Sequence, residues 1–232
     1  MTLDGERHWN AFREGVPWFV RNRPNVRPVR TLPPGSWTPK DDEFVSLFPS
    51  LTALLAAAWV TEVRLLSEAW TLYSWEVPGA APSGWLSPQA GPLPGGIHPH
   101  HEALLRSFSG ITETFGDPDS WIANHTAVLT PELAGRDATF VEAAAWAFEE
   151  TGGIPLVLSD YRVVAEEANG NATLCHRKNG DVLLFAPDHA LDYVTVLEGC
   201  PEYTFYRLQG APTFAAWVNV VAGQWAAGPN AK

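Results

Sequence analysis

Apolar and polar residues alternate in three short runs of the last third of the chain, YRVVAEEA, NATLCHRK and DVLLFAP, separated by Asn169-Gly170 and Asn179-Gly180. A period of two marks a strand with one face inward. Asn-Gly between two such runs predicts a two-residue type I′ reversal, because both residues tolerate positive φ. Residues 161–187 are therefore predicted as a three-strand antiparallel meander. With each dipeptide centred in its turn, Val164 lies opposite Cys175 and Leu174 opposite Phe185. One face then carries Val163, Ala165, Leu174, His176, Leu183 and Phe185 and is the expected core face. The other carries Arg162, Val164, Glu166, Thr173, Cys175, Arg177, Val182 and Leu184 and is expected to be half covered.

Elsewhere the period is helical. Residues 137–151 place Val141, Ala144, Ala145 and Phe148 on one face, with Asp137 as N-cap and Gly152-Gly153 as the stop. In residues 211–226 a stripe of Phe214, Trp217, Val218, Val221 and Trp225 predicts a closing helix. Leu51, Leu54, Leu55 and Ala58 make a third stripe, introduced by Asp41-Asp42 as an N-cap pair and by Pro49 as a start or kink. HPHHEALLRSF predicts a fourth helix with Leu104, Leu105 and Phe108 inward and Gly110 after it. Strands are expected across 62–77, at 111–115 and near 193–197 and 203–208. Residues 78–97, rich in Pro and Gly, read as an irregular loop. Strands with flanking helices give the fold class α+β, with the 137–151 and 211–226 helices as covers of an antiparallel sheet.

Composition and charge divide the chain further. Residues 1–40 hold six Arg and one Lys against three acids, and the whole chain carries a net charge of −11. Their mixture of Arg, Pro and Trp predicts an extended arm, residues 1–40, with Trp9, Trp18 and Trp37 as anchors on the body. Residues 41–97 form an elaboration of helix, strand and loop, and residues 98–228 the main domain. An acidic body repels phosphate backbones, so nucleic acid is not an expected partner; a basic protein is. The apolar run around Leu51 to Val60 is far shorter than the ~20 residues that cross a bilayer. MTLDGERHW lacks the apolar stretch of an export signal, so a cytoplasmic location is expected and Cys175 and Cys200 are expected to be free thiols.

Candidate chemistry is sparse. His98, His100 and His101 with Glu102 have the residue types of a metal site, but Pro99 fixes an extended entry and rings on a first helical turn diverge. Asp188-His189 are adjacent at a strand end, where side chains point apart, whereas a dyad needs hydrogen-bond reach. Ser107, Ser109 and Ser159 lack a G-x-S-x-G setting, and Cys175 sits mid-strand as packing. Gly84, Gly91, Gly95 and Gly96 match neither a phosphate loop nor a dinucleotide fingerprint. No catalytic residue, metal or cofactor is expected. The expected contact surface for a protein partner is the polar rim of Glu166, Glu167, Asp188, His189 and Asp192.

One family resemblance covers residues 98–226. The helix with LLRSFSGI (104–111), a segment bearing Trp121, NGDVLLFAPDHALDYV (179–194), YTFYRL (203–208) and a closing F-x-x-W-V (214–218) together resemble the SUKH superfamily of Smi/Knr-type proteins. That family commonly has an aromatic-Gly-Gly segment after its first helix, where this chain has Phe108-Ser109-Gly110. It also has a G-x-v-x-x-F-x-p-D strand and a closing F-x-x-W-[VL] helix. The resemblance implies an α+β protein-interaction domain without a catalytic apparatus. Many bacterial members look like immunity proteins that bind and neutralise toxins, often nucleases, so a cognate toxin is the partner it implies. Two alternatives stay open: a regulatory scaffold that docks proteins through the 1–40 arm, and a metal-dependent enzyme using the His98/His100/His101 region.

Overall fold

A computed structural model of the chain describes residues 3–17, 26–65, 68–116, 120–188 and 191–227. The fold is α+β, built on two antiparallel sheets. The first has five strands in sequence order: β1 (Arg27–Leu32), β2 (Trp59–Leu65), β3 (Glu68–Trp75), β4 (Ser83–Pro88) and β5 (Glu113–Phe115). The second contains β6 (His125–Val128), β7 (Tyr161–Glu167), β8 (Ala172–His176), β9 (Val182–Phe185), β10 (Val194–Val196) and β11 (Phe205–Leu208). Its spatial order is β10-β11-β9-β8-β7-β6.

The amino-terminal region differs from the extended arm its composition suggests. Leu3–Gly15 is a helix, α1, with Asp4 and Glu6 in its first turn and Arg13 in its last, the polarity that suits a helix dipole. Its Trp9 and Phe12 are buried, and the Phe12 ring meets Phe115 edge-on at 5.7 Å. Prolines set in only after this helix, and β1 tolerates Pro28 because β1 is an edge strand. Trp37 packs at 5.5 Å from Phe44, while Trp18 lies outside the described residues.

Asp41 caps the short helix α2 (Asp42–Leu47) by accepting the Phe44 N–H at 2.9 Å, and Pro49 takes the first turn of α3 (Pro49–Ala57). Residues 62–77 make parts of two strands, β2 and β3, paired as a hairpin with Trp59 opposite Ser74. The Pro/Gly-rich stretch also hides a strand: β4 is buried along most of its length between β3 and β5. Gly84 explains this placement. A Cβ there would lie 2.7 Å from the Phe115 ring and closer still to the Tyr73 carbonyl, so only glycine lets the backbones meet.

Helices α4 (Pro99–Ser107) and α5 (Pro131–Gly135) lead to a cover helix, Ala138–Thr151, of 3-10 geometry, interrupted at Ala144 (φ −102°, ψ 18°). Asp137 caps it through the Thr139 N–H, and Gly152 ends it at φ 83°. The chain closes with α6 (Phe214–Ala227), whose Phe214, Trp217, Val218, Val221 and Trp225 are all buried as the stripe predicts. Among the described residues no helix is long and apolar enough to cross a membrane.

The meander forms with a different register from a pair of type I′ turns. Neither Asn169 nor Asn179 has positive φ; only Gly170 (φ 94°) and Gly180 (φ 73°) do. The first turn is therefore the three-residue loop Ala168–Gly170, with the Gly170 N–H donating to the Glu167 carbonyl at 3.1 Å. The second is the four-residue loop Arg177–Gly180, closed by the Gly180 N–H on the His176 carbonyl at 2.9 Å. Arg162 then pairs with Cys175, and Leu174 with Leu183 instead of Phe185. A slip of two keeps each side chain on its face. The exception is at a register shift between Val163 and Ala165, which moves Ala165 across to the side of Val164 and sets Glu166 opposite Ala172, on the side of Val163.

Both faces of this sheet are buried. Val163, Leu174, Leu183 and Phe185 pack with Val141, Phe148 and Leu158 under the cover helix. Val164, Cys175, Val182 and Leu184 are buried as well, not half covered, in a cluster with Trp217 and Val221 of α6. That cluster extends to Tyr73, Trp75 and Trp85 of the first sheet, so one apolar core serves both sheets.

Candidate functional site

The rim expected to contact a partner lies at the tip of the β7–β8 hairpin. There the Asn169 side chain closes an Asx turn by accepting the Asn171 N–H at 3.1 Å. Its amide then donates to Glu167 Oε2 at 3.0 Å and to Asp188 Oδ2 at 2.6 Å. Asp188 reaches this point because β9 runs back along β8 and ends beside the start of β8, with Phe185 opposite Ala172. The Asn171 amide adds a bond to Glu167 Oε2 at 3.3 Å. Two carboxylates thus share the Asn169 amide as a donor.

Glu166 behaves differently. Arg136 grips it with two bonds, Nη1 to Oε2 at 2.7 Å and Nη2 to Oε1 at 2.9 Å. The bond to Glu166 raises the guanidinium pKa, and the pair is neutral as a unit. Asp192 is exposed and shares no hydrogen bond or ion pair with the rim among the described residues, and His189 lies outside them. The structure therefore joins Glu167 to Asp188, neutralises Glu166 and leaves Asp192 apart.

Beside the rim, His125 pairs across β6–β7 with Glu167 and borders a cleft of about 450 Å³ lined by Thr112, Thr114, Asn124 and Thr126 among others. Both His125 ring nitrogens are shielded and unpartnered among the described residues, and burial pushes its pKa down to about 4, so the ring is neutral at pH 7.

The histidines of the 98–101 segment do not converge. His98 is the N-cap of α4, its Nδ1 accepting the His100 N–H at 3.2 Å, and the two rings stand edge to face at 4.7 Å. His101 turns inward to lie 4.6 Å from the Phe214 ring, with neither nitrogen hydrogen-bonded among the described residues, and burial pushes it down to about 3. Among the described residues no group of three or more His, Cys, Asp or Glu side chains is placed to hold a metal. His176 sits half-buried, away from the core centre where its face predicts it. Its Nδ1 accepts the Lys178 and Asn179 N–H groups at 3.3 Å, so it braces the second turn. Cys175 and Cys200 are free, and burial pushes the Cys175 thiol up to about 12, which keeps it protonated.

One surface residue escapes the strand-based reading. Trp146 of the cover helix is 71% exposed, and Glu142, Glu149 and Glu150 of the same helix are exposed too. The cover helix is 3-10 and interrupted at Ala144, so the α-helical stripe read from the sequence does not carry through it, and Ala145, expected inward, is exposed. No family model matches the chain, and no curated protein or solved structure matches it either.

Proposed function

We propose that this chain is a non-catalytic, SUKH-type protein-binding domain acting in the cytoplasm as an immunity protein, which blocks a toxin by covering a basic surface on it. The observation that carries the reading is the distribution of charge around the second sheet. Residues 137–160 contain Asp137, Glu142, Glu149, Glu150 and Asp160, and residues 181–206 contain Asp181, Asp188, Asp192, Glu198 and Glu202, with no Lys or Arg in either segment. Such a face repels nucleic acid and attracts the cationic cleft with which a nuclease holds its substrate. Inhibition would be steric and electrostatic, with charge steering the encounter. Glu167, held by the neutral amides of Asn169 and Asn171, suits a lysine or arginine of the partner.

The scaffold alternative depends on a free amino-terminal arm, and α1 is instead packed through Phe12 and tied to the body by Arg7–Glu76 at 2.8 Å. The enzyme alternative depends on convergence of three rings, and His101 turns away from His98 and His100 onto Phe214. Co-expression with the product of the adjacent reading frame tests the proposal. Host survival is expected only when both are made, with a complex whose affinity falls steeply between 50 mM and 500 mM salt. A neighbouring product that is harmless alone, or that forms no complex at low salt, would overturn it.

A further inference from the structure

The cover helix carries more on its outer side than a cover requires. Val141 and Phe148 point into the core, while Glu142, Trp146, Glu149 and Glu150 face solvent. An exposed indole leaves in water one of the largest apolar surfaces a side chain can offer. Two further hydrophobics are exposed: Val157 (65%), flanked by Leu156 and Leu158, and Tyr203 (46%), two residues before Phe205; these leucines and Phe205 belong to the apolar layer beneath this helix. Tyr203 is held at φ 61°, a left-handed backbone unusual for a bulky residue, and its N–H donates to Tyr206 Oη at 2.6 Å. Strain of this kind concentrates where a side chain must be presented in one way.

Charge selects the occupant. Asp137 is used as a cap and Asp160 is bound by Arg177 at 2.6 Å, but Glu142, Glu149, Glu150, Glu198 and Glu202 have no ion-pair partner among the described residues. A second copy of the chain would bring the same carboxylates against these, since a two-fold contact sets a patch against itself. Phosphates of nucleic acid or of an anionic bilayer are repelled for the same reason. A cationic protein surface with an apolar slot for an indole satisfies both the charge and the aromatic group. Tryptophan ringed by polar groups is also the usual anatomy of an interface hot spot.

We propose that Trp146 is the anchor of a docking face, flanked by Glu142, Glu149 and Glu150, for a cationic protein surface that takes the indole into an apolar pocket. This rests on the protein-binding reading above and names where that binding occurs. The Glu167–Asp188 rim supplies charge, but the apolar anchor stands on the cover helix.

The test uses the full chain labelled with 5-fluorotryptophan, the Trp146 resonance being identified by Trp146→Phe among the 11 tryptophans. One probe is an amphipathic helical peptide of Lys and Leu, with a Gln-for-Lys control; the other is the inactivated product of the adjacent reading frame. The Lys peptide is expected to shift the Trp146 resonance and the Gln peptide to leave it unmoved. Trp146→Ala should weaken binding at least about thirtyfold. The triple change Glu142→Gln, Glu149→Gln, Glu150→Gln should weaken binding and flatten its salt dependence. Glu62→Gln with Glu68→Gln, on the first sheet, should change neither. An unshifted Trp146 resonance, affinity within threefold in Trp146→Ala, or no binding of the Lys peptide at low salt would overturn the docking face. Binding of the peptide through Trp146, with none of the adjacent product, keeps the face and removes the toxin reading. Equal binding of the adjacent product to wild type and Trp146→Ala does the reverse.

Discussion

His101 shows how one buried side chain ties stability to pH. Its ring is wholly buried on Phe214 and titrates near 3 in the fold against 6.5 in the open chain. As pH falls below 6.5 the unfolded state therefore takes up the proton first, and stability drops by up to about 1.4 kcal/mol per pH unit until the folded ring titrates. His125, pushed to about 4, acts in the same sense. Urea midpoints should fall between pH 7 and pH 5, and His101→Leu should shrink that fall relative to wild type. A variant that loses as much as wild type over this range would show that the ring is not buried as a neutral group. At the opposite extreme, Arg136–Glu166 is bidentate yet its side chains are 42% and 29% exposed, so breaking it with Arg136→Met should cost no more than about 1 kcal/mol. The buried indole of Trp225 packs edge-on against Trp75 and Trp85, and Trp225→Ala should cost about 3–5 kcal/mol, read as a large drop in denaturation midpoint.

At the level of elements, the two Asn-Gly turns look alike in sequence and differ in structure. Gly170 and Gly180 both need a left-handed backbone, but a Cβ on Gly170 would meet nothing, while one on Gly180 would lie 2.8 Å from His98 Nε2. Gly170→Ala should cost about 1 kcal/mol. Gly180→Ala should cost clearly more, because it displaces the ring that caps α4. In His98→Ala the difference between the two glycine changes should largely vanish, and a thermal denaturation cycle reads this directly. The second hairpin was legible as a hairpin because alternation and turn chemistry are local. Its register was not, since the positive φ falls on glycine alone and lengthens each loop. The faces survived where the slip was by two, up to the register shift before Ala165. The amino-terminal half was less legible. Prolines beyond α1 masked the helix before them, and β4 lies in a stretch whose Pro and Gly content reads as loop until the close approach at Gly84 is seen. Of the candidate site, adjacency in the sequence suggested Glu166 and Glu167 as one rim. Only the fold shows that one is neutralised by Arg136 and the other fixed beside Asp188.

For the molecule as a whole, the shared core makes the two sheets interdependent. The family resemblance covers residues 98–226, yet Trp225 of the closing helix packs on Trp75 and Trp85. Removing residues 1–97 would bare that indole and the face of α6 that packs on α3, and would delete the Leu47 carbonyl that accepts from the Asn219 amide at 2.9 Å. The truncated chain should therefore lack the near-ultraviolet circular dichroism of fixed aromatic packing. A truncated form that keeps this signal and a sharp unfolding transition would show the carboxy-terminal part to be self-sufficient.

The ends of both sheets carry a last consequence. The first is bordered by β1, with Pro28, Arg27 and Arg30, and by three-residue β5; the second by β6 of four residues and β10 of three. Neighbouring molecules thus find no long ribbon on which to template fibril growth. Near pH 5.0, where the net charge vanishes, concentrated solutions should turn cloudy with amorphous material that redissolves on returning to neutral pH and leaves thioflavin dark.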